Sequence, residues 1–253
     1  MITEWDYSTL AASYLKRPQY SEAAVSSMLS ISSITENSKV CDIGAGVGHL
    51  TKLIAQTGSK VIAIEPNLEM FRLGKIETLE LKNIFWEMGT GEKTNQQSKS
   101  FNLVTFGSSF NVCDREVALL ESSRILKVDG WFACLWNHRE LSDPLQKEIE
   151  SIIHEEIQDY SYGTRRESQT QVIEKSGLFK SVIELTGTTL RSQTLQDFEI
   201  SWASHATLAR QAGKKFELIL NKIKTIAEAK LNSSGEKFLS TPYKTVVWMA
   251  QKK

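Results

Sequence analysis

Asp42, Gly44, Gly46 and Glu65 carry the most legible chemistry in the chain. The run Val40-Cys41-Asp42-Ile43-Gly44-Ala45-Gly46-Val47-Gly48 is an apolar stretch that enters three glycines spaced by two, and Glu65 closes Val61-Ile62-Ala63-Ile64-Glu65 twenty-one residues after Gly44. A buried strand that ends in glycines can turn sharply and bring its backbone close to a ligand, because a residue without Cβ tolerates the required φ and removes bulk. A carboxylate at the tip of the next strand is placed to accept hydrogen bonds from both hydroxyls of a ribose. The layout therefore points to a nucleotide-containing cofactor. A dinucleotide site requires G-x-G-x-x-G around a pyrophosphate, and the last slot is His49, so a nicotinamide-dependent oxidoreductase is disfavoured.

Proton-transfer and anion-binding candidates lie further on. His138 in Trp136-Asn137-His138-Arg139 can serve as a general base or hydrogen-bond loop backbone, and His205 in Ser201-Trp202-Ala203-Ser204-His205 is the second candidate, with Trp202 beside it as an acceptor contact. His49 reads as local structure. Tyr160-Ser161-Tyr162-Gly163-Thr164-Arg165-Arg166 sets paired arginines beside tyrosines; Tyr162, Arg165 and Arg166 can bind an acidic or sugar-like acceptor, since guanidinium forks match carboxylates bidentately, or remain solvated. Cys41 and Cys134 sit in apolar runs and read as buried hydrophobes, Cys113 falls in a loop, and no spacing suggests a metal site. No metal is expected.

Strands alternate with helices, which is the signature of an α/β fold with a mostly parallel sheet covered on both faces. Apolar runs predict strands near 39–43, 60–64, 84–88, 101–106 and 131–136, and helices near 21–31, 49–57, 67–74 and 114–126. Pro144 after Asp143 starts a further helix whose stripe is Leu145, Ile149, Ile152, Ile153 and Ile157, with His154 on the solvated side. Phe179 to Leu185 reads as strand six and Lys244 to Ala250 as strand seven, with about fifty-five residues between them. Phe216, Ile219, Leu220, Ile223, Ile226 and Ala227 share a helical face there, and Leu195 to Leu208 reads as a shorter helical region. The expectation is one domain over 1–253, with residues 189–240 forming a helical cap between strands six and seven, over the carboxyl ends of the strands where open α/β sheets bind ligands. Packing against the sheet edge or a second subunit is the alternative. Lys93 to Ser100 reads as a polar surface loop.

The D-x-G-x-G-x-G run from Asp42 to Gly48 resembles the first motif of the S-adenosylmethionine-dependent methyltransferases with a Rossmann-like, seven-stranded fold, and Glu65 resembles their ribose-binding acid. The resemblance implies S-adenosylmethionine as cofactor, with Asp42, Gly44, Ala45 and Gly46 lining it and Pro66 next to the ribose-binding acid. Gly89-Thr90-Gly91-Glu92 looks like the loop beside the adenine, which would bring Thr90 and Gly91 to the site; many members carry Asp where Thr90 stands. The segment from Phe101 to Phe110 looks like strand four and its turn, which implies contacts from Phe106, Gly107 and Ser108. Arg124-Ile125-Leu126-Lys127-Val128-Asp129-Gly130-Trp131 is similar to the segment before strand five, with Val128 and Asp129 in place of Pro and Gly. The chain resembles the small-molecule methyltransferases around the ubiquinone and menaquinone enzymes and the trans-aconitate methyltransferases. In such enzymes the N-terminal segment, here about 1–35 with Ala11-Ala12-Ser13-Tyr14 and Arg17-Pro18-Gln19-Tyr20, closes over the cofactor and would bring Tyr14 and Arg17 near its methionyl part. Asn111 occupies a slot where relatives often have His, which suits acceptor positioning and excludes a base there.

Thirty basic residues balance thirty acidic ones, with no clustered basic run, which argues against nucleic acid as partner or substrate. No stretch reaches the ~18 apolar residues needed to span a bilayer. The opening Met1-Ile2-Thr3-Glu4-Trp5-Asp6 lacks a basic and apolar leader, so no membrane partner and a cytoplasmic location are expected. The expected activity is methyl transfer to oxygen or nitrogen of a small-molecule acceptor, a metabolite, natural product or sugar-like compound. A catalytically silent methyltransferase-like partner protein is the alternative. Oligomeric state and acceptor identity have no sequence code.

Overall fold

The computed structural model describes residues 14–253; Ala11 to Ser13 of the N-terminal pattern, and the rest of the first thirteen residues, lie outside the described residues. Ser21 caps helix α1, Glu22–Ile31, by accepting a hydrogen bond from the amide of Ala24. Strand β1, Lys39–Ile43, is followed by α2, His49–Ala55; β2, Lys60–Ile64, is followed by α3, Leu68–Glu77. Asn67 starts α3 by accepting from the amides of Glu69 and Met70, which satisfies donors that a helix N-terminus leaves unpaired. Then come β3, Ile84–Glu87, and β4, Phe101–Gly107, with α4, Arg115–Ile125, capped by Asp114 and running straight into β5, Leu126–Arg139. Helix α5, Pro144–Glu156, starts with proline behind the Asp143 cap, and a short α6, Thr170–Lys175, leads to β6, Ile183–Gln193. Helices α7, Leu195–Ala203, α8, Ala206–Ala212, and α9, Phe216–Ser234, precede β7, Leu239–Gln251.

These strands form one seven-stranded Rossmann-like sheet of order β3-β2-β1-β4-β5-β7-β6, parallel except for β7, which pairs antiparallel with β5 and β6. The chain leaves β1 toward one edge and returns to it as β4, so the switch point where α/β sheets bind ligands lies between the carboxyl ends of β1 and β4. Alternate side chains of the strands feed the two face cores. Cys41, Ile43, Val104 and Phe106 join the core under α4, and Val40, Leu103, Leu135 and Met249 join the core under α1 and α2. Buried on both faces, the central strands read as unbroken apolar runs, which is why β1 and β2 were plain in the sequence.

Three strand boundaries differ from expectation, the first being strand five, which runs from Leu126 to Arg139 rather than 131–136. Strand six runs from Ile183 to Gln193, beyond the expected 179–185, while Phe179 makes only an isolated bridge to Lys252. The strand is a sheet edge that exposes Glu184, Thr186, Thr188, Leu190 and Ser192 in alternation with half-buried Leu185, Gly187, Thr189 and Arg191, so neither face is an apolar run and an apolar-run reading passes over it. Strand seven likewise begins at Leu239. The helical insertion therefore lies within 194–238, inside the expected 189–240. Its helices share a third core with α5, built from Ile149, Ile153, Phe198, Trp202, Leu208, Ile219 and Ile223.

Candidate functional site

The glycine turn is built by local necessity. Gly44 and Gly46 follow β1 with φ of +65° and +59°, in the left-handed region that L residues enter at a cost. The amides of Gly44 and Ala45 both donate to the carbonyl of Ile64, at 2.8 and 3.0 Å, which ties the turn to the end of β2. A Cβ on Gly44 would stand 2.4 Å from Ser109 Cβ, whereas one on Gly46 would meet nothing within 4 Å. The first glycine therefore lets β1 and the β4 turn touch, and the second leaves the turn open toward the cavity.

Glu65 receives that turn. Its carboxylate accepts from the amide of Gly46 at 2.8 Å and from the amide of Asn67 at 2.9 Å, one bond to each oxygen, and the residue is only 6 % exposed. Burial pushes its carboxyl up to about 7 against the pull of those two amides, and the charge of Asp42 adds to the rise. Each oxygen keeps acceptor capacity after its amide bond. Asp42 is pinned from both sides by the hydroxyls of Thr51, at 2.6 Å, and Thr105, at 2.8 Å, and burial raises it to about 6.

Around these groups lies a cavity of about 290 Å³, near the lower bound of about 300 Å³ for small-molecule sites. It is lined at one end by Asp42, Gly44, Ala45, Gly46, Glu65 and Pro66, with Gly91, Gly107 and Ser108 along the β4 side. Tyr14, Arg17, Asn111, His138, Tyr162, Arg165, Arg166 and His205 line the remainder. Three expected contacts lie outside it. Thr90 closes a turn, exchanging backbone bonds with Lys93 and accepting at its hydroxyl from the Lys93 amide at 3.2 Å. Phe106 is fully buried in a ring cluster with Phe110 and Phe132 and stands behind Gly91, because side chains alternate along β4 and its ring takes the core face. Trp202 is buried in the core of the insertion and presents its ring to His205, stacked at 4.7 Å, so that it backs the histidine.

The N-terminal segment is fastened across the cavity. Asn137 donates to the carbonyls of Pro18, at 3.0 Å, and Gln19, at 2.9 Å, while its own carbonyl accepts from Thr245. Arg17 stacks on the Tyr14 ring at 4.0 Å and donates to the Ser204 carbonyl at 2.7 Å; Lys16 pairs with Asp197 at 2.9 Å. Tyr20 hydrogen-bonds Ser108, which sits at φ +60° after β4.

At the other end, the Trp136 indole donates to the Asn111 side-chain oxygen at 3.0 Å. An indole N–H can only donate, so this bond orients the Asn111 amide nitrogen as the group left to donate. His138 is driven down to about 4 by burial and by Arg166, Arg165 and Lys244; His205 is driven well below its ordinary value by burial and by Arg17, Arg165, Arg139 and Arg166. Both rings are neutral at physiological pH, and the burial and neighbouring cations that keep them so also make them weak proton acceptors. Arg139 is buried, pairs with Glu150 and the Tyr162 hydroxyl, and lies over the Trp202 ring at 5.0 Å.

Asn137, Arg139, Tyr20, His49 and Ser109 also line the cavity and were not among the expected site residues. The signal for Asn137 and Arg139 was their position at the carboxyl end of β5 next to His138. The local-structure reading of His49 passes over the cavity-facing start of α2. Among the described residues no group of His, Cys, Asp or Glu is arranged to hold a metal ion, and no helix is long and apolar enough to cross a membrane.

Residues 41–134 match the model of a methyltransferase domain family. An uncharacterized methyltransferase of Schizosaccharomyces pombe is 31 % identical over 129 residues, 51 % of this chain and 50 % of that protein. The demethylmenaquinone methyltransferase of Tropheryma whipplei is 26 % identical over 136 residues, 53 % of this chain and 55 % of its own length. The chain thus spans about half the length of the curated relatives it matches. The YcgJ protein of Bacillus subtilis shares the fold with a TM-score of 0.59 at 20 % identity, over 91 % of this chain and 98 % of that one.

Proposed function

We propose, from the premise that residues 41–134 carry a methyltransferase domain, that the protein transfers a methyl group from S-adenosylmethionine to an oxygen or nitrogen of a small-molecule acceptor. The observation that carries this reading is the buried Glu65 carboxylate, held by one amide of the glycine turn and one of α3, with acceptor capacity left on both oxygens. Two vicinal ribose hydroxyls match that arrangement. The donor-poor turn at Gly44 to Gly46 suits an amino acid and sugar better than a pyrophosphate, and Tyr14 and Arg17 cover the end where a methionyl group fits.

Bound S-adenosylmethionine supplies an electrophilic methyl and its own leaving group. The chain's part is proximity, orientation and exclusion of water. Asn111 offers an amide N–H to the acceptor, the helices between β6 and β7 close the cavity through His205 and Thr207, and His138 or His205, a weak base, takes the proton of a hydroxyl acceptor only as methylation makes that oxygen acidic. The cavity's dimensions and the balance of thirty basic and thirty acidic residues support a small acceptor rather than a nucleic acid.

Calorimetric titration with S-adenosylhomocysteine tests the reading. Wild type is expected to bind saturably, and Glu65→Ala to bind about tenfold or more weakly, the ~1.4 kcal/mol of lost hydrogen bonds. Folded wild type that binds nothing would contradict it and favour a silent partner protein.

A further inference from the structure

The geometry points to an acceptor that carries a carboxylate or phosphate group, seated against Arg165 with Arg166 beside it. This rests on the methyl-transfer reading and names the acceptor class. Arg17, Arg139, Arg165 and Arg166 all line the cavity, and all four act electrostatically on the single ring of His205. One carboxylate answers them. Glu150 pairs with Arg139, stands 3.8 Å from Arg166 and also accepts from the Tyr162 hydroxyl and faces His154 at 3.4 Å. Arg139 is thereby satisfied, and it further reaches the Gln146 carbonyl at 3.4 Å.

Arg165 has no such partner. Among the described residues it makes neither an ion pair nor a hydrogen bond; its guanidinium lies over the Tyr162 ring at 5.1 Å, and Arg166 covers the same ring at 3.5 Å. Of the four, Arg17 also pairs with no carboxylate and its Nε is buried with no hydrogen-bond partner, but its guanidinium donates to the Ser204 carbonyl at 2.7 Å and stacks on the Tyr14 ring at 4.0 Å. Half-buried cations without counter-charge are unfavourable, and a bidentate anion relieves the cost with two charge-assisted bonds. The neutral histidines beside them, His138 and His205, add donors without adding charge, so the pocket's excess of positive charge resides on arginines that stay ionised at any working pH.

Calorimetry on protein saturated with S-adenosylhomocysteine, at ionic strength fixed with chloride, tests this with citrate, inorganic phosphate and neutral glycerol as probes. At least one anion is expected to bind saturably and glycerol not to bind. Arg165→Gln is expected to weaken the anion at least tenfold while S-adenosylhomocysteine affinity stays within twofold, which also reports that the variant is folded. Binding of citrate alone identifies a carboxylate-bearing acceptor and binding of phosphate alone a phosphorylated one. No anion binding, or anion binding undiminished in Arg165→Gln, overturns the inference. If S-adenosylhomocysteine itself does not bind wild type, the methyl-transfer reading fails, and the same anion titrations on the free protein still decide the arginine site by the same criteria.

Discussion

Glu65 is a carboxyl raised from 4.5 to about 7 in the folded chain by burial. Between those values the folded protein keeps a proton that the unfolded chain has released, so this residue's contribution to stability falls as pH rises from about 4.5 to about 7 and stays reduced above. A ligand whose hydroxyls donate to Glu65 prefers the ionised form. S-adenosylhomocysteine is therefore expected to bind more tightly at pH 8 than at pH 6, measured calorimetrically in buffers of equal ionic strength, and the difference is expected to vanish in Glu65→Ala. Gly44 gives a second expectation at this scale. Its φ of +65° and the 2.4 Å approach of Ser109 Cβ make Gly44→Ala both strained and overpacked, a loss of about 2–5 kcal/mol from the two causes together, read as a lower urea midpoint. His138, lowered to about 4, should leave kcat flat through pH 6.5 and bring it down only toward pH 4.

At the scale of elements, the end of β5 organises the site. Its antiparallel register with β7 sets Asn137 opposite Thr245 and Arg139 opposite Tyr243, and Asn137 then fastens Pro18 and Gln19. Asn137→Ala removes those two hydrogen bonds and the one accepted from Thr245, each worth about 1 kcal/mol; the expected outcome is faster proteolytic cleavage before Tyr20, a severalfold weaker S-adenosylhomocysteine and a lower midpoint of urea unfolding. Legibility follows the same division. The glycine turn, Glu65 and the strands that hold them were readable because buried parallel strands are apolar runs and because φ above zero demands glycine. Asn137 and Arg139 were not, since their roles come from partners more than a hundred residues away in β7 or from a helix, α5, that packs against them only in three dimensions. Strand β6 is hard to place from sequence because both of its faces mix polar and apolar residues, with Thr186 and Leu190 exposed and Leu185, Thr189 and Arg191 half-buried. Trp202 looked like a contact because it neighbours His205 in sequence; its burial in the insertion core turns it away.

Among the described residues, two large bodies of packing border the cavity that holds Glu65. The sheet with its two face cores presents the glycine turn, and α5 with α7, α8 and α9 share a core of their own that presents His205 and backs the arginines. A ligand that bridges both should stabilise the fold as a unit. At a hundredfold excess over Kd, S-adenosylhomocysteine is expected to add about 2.7 kcal/mol and to raise Tm by roughly 5–10 °C for a chain of this size, seen as one cooperative transition by calorimetry. Two separate transitions, only one of which moves, would show that the insertion does not share in binding.

The most direct test of the central claim is methyl transfer itself. The protein would be incubated with S-adenosylmethionine tritiated on the methyl group and a small-molecule extract depleted of macromolecules, and the label followed by chromatography. Label in a small anionic product, made by wild type and reduced about tenfold or more with Glu65→Ala at S-adenosylmethionine below its Kd, is the expected result. Absence of any labelled small molecule with protein that binds S-adenosylhomocysteine would contradict the account.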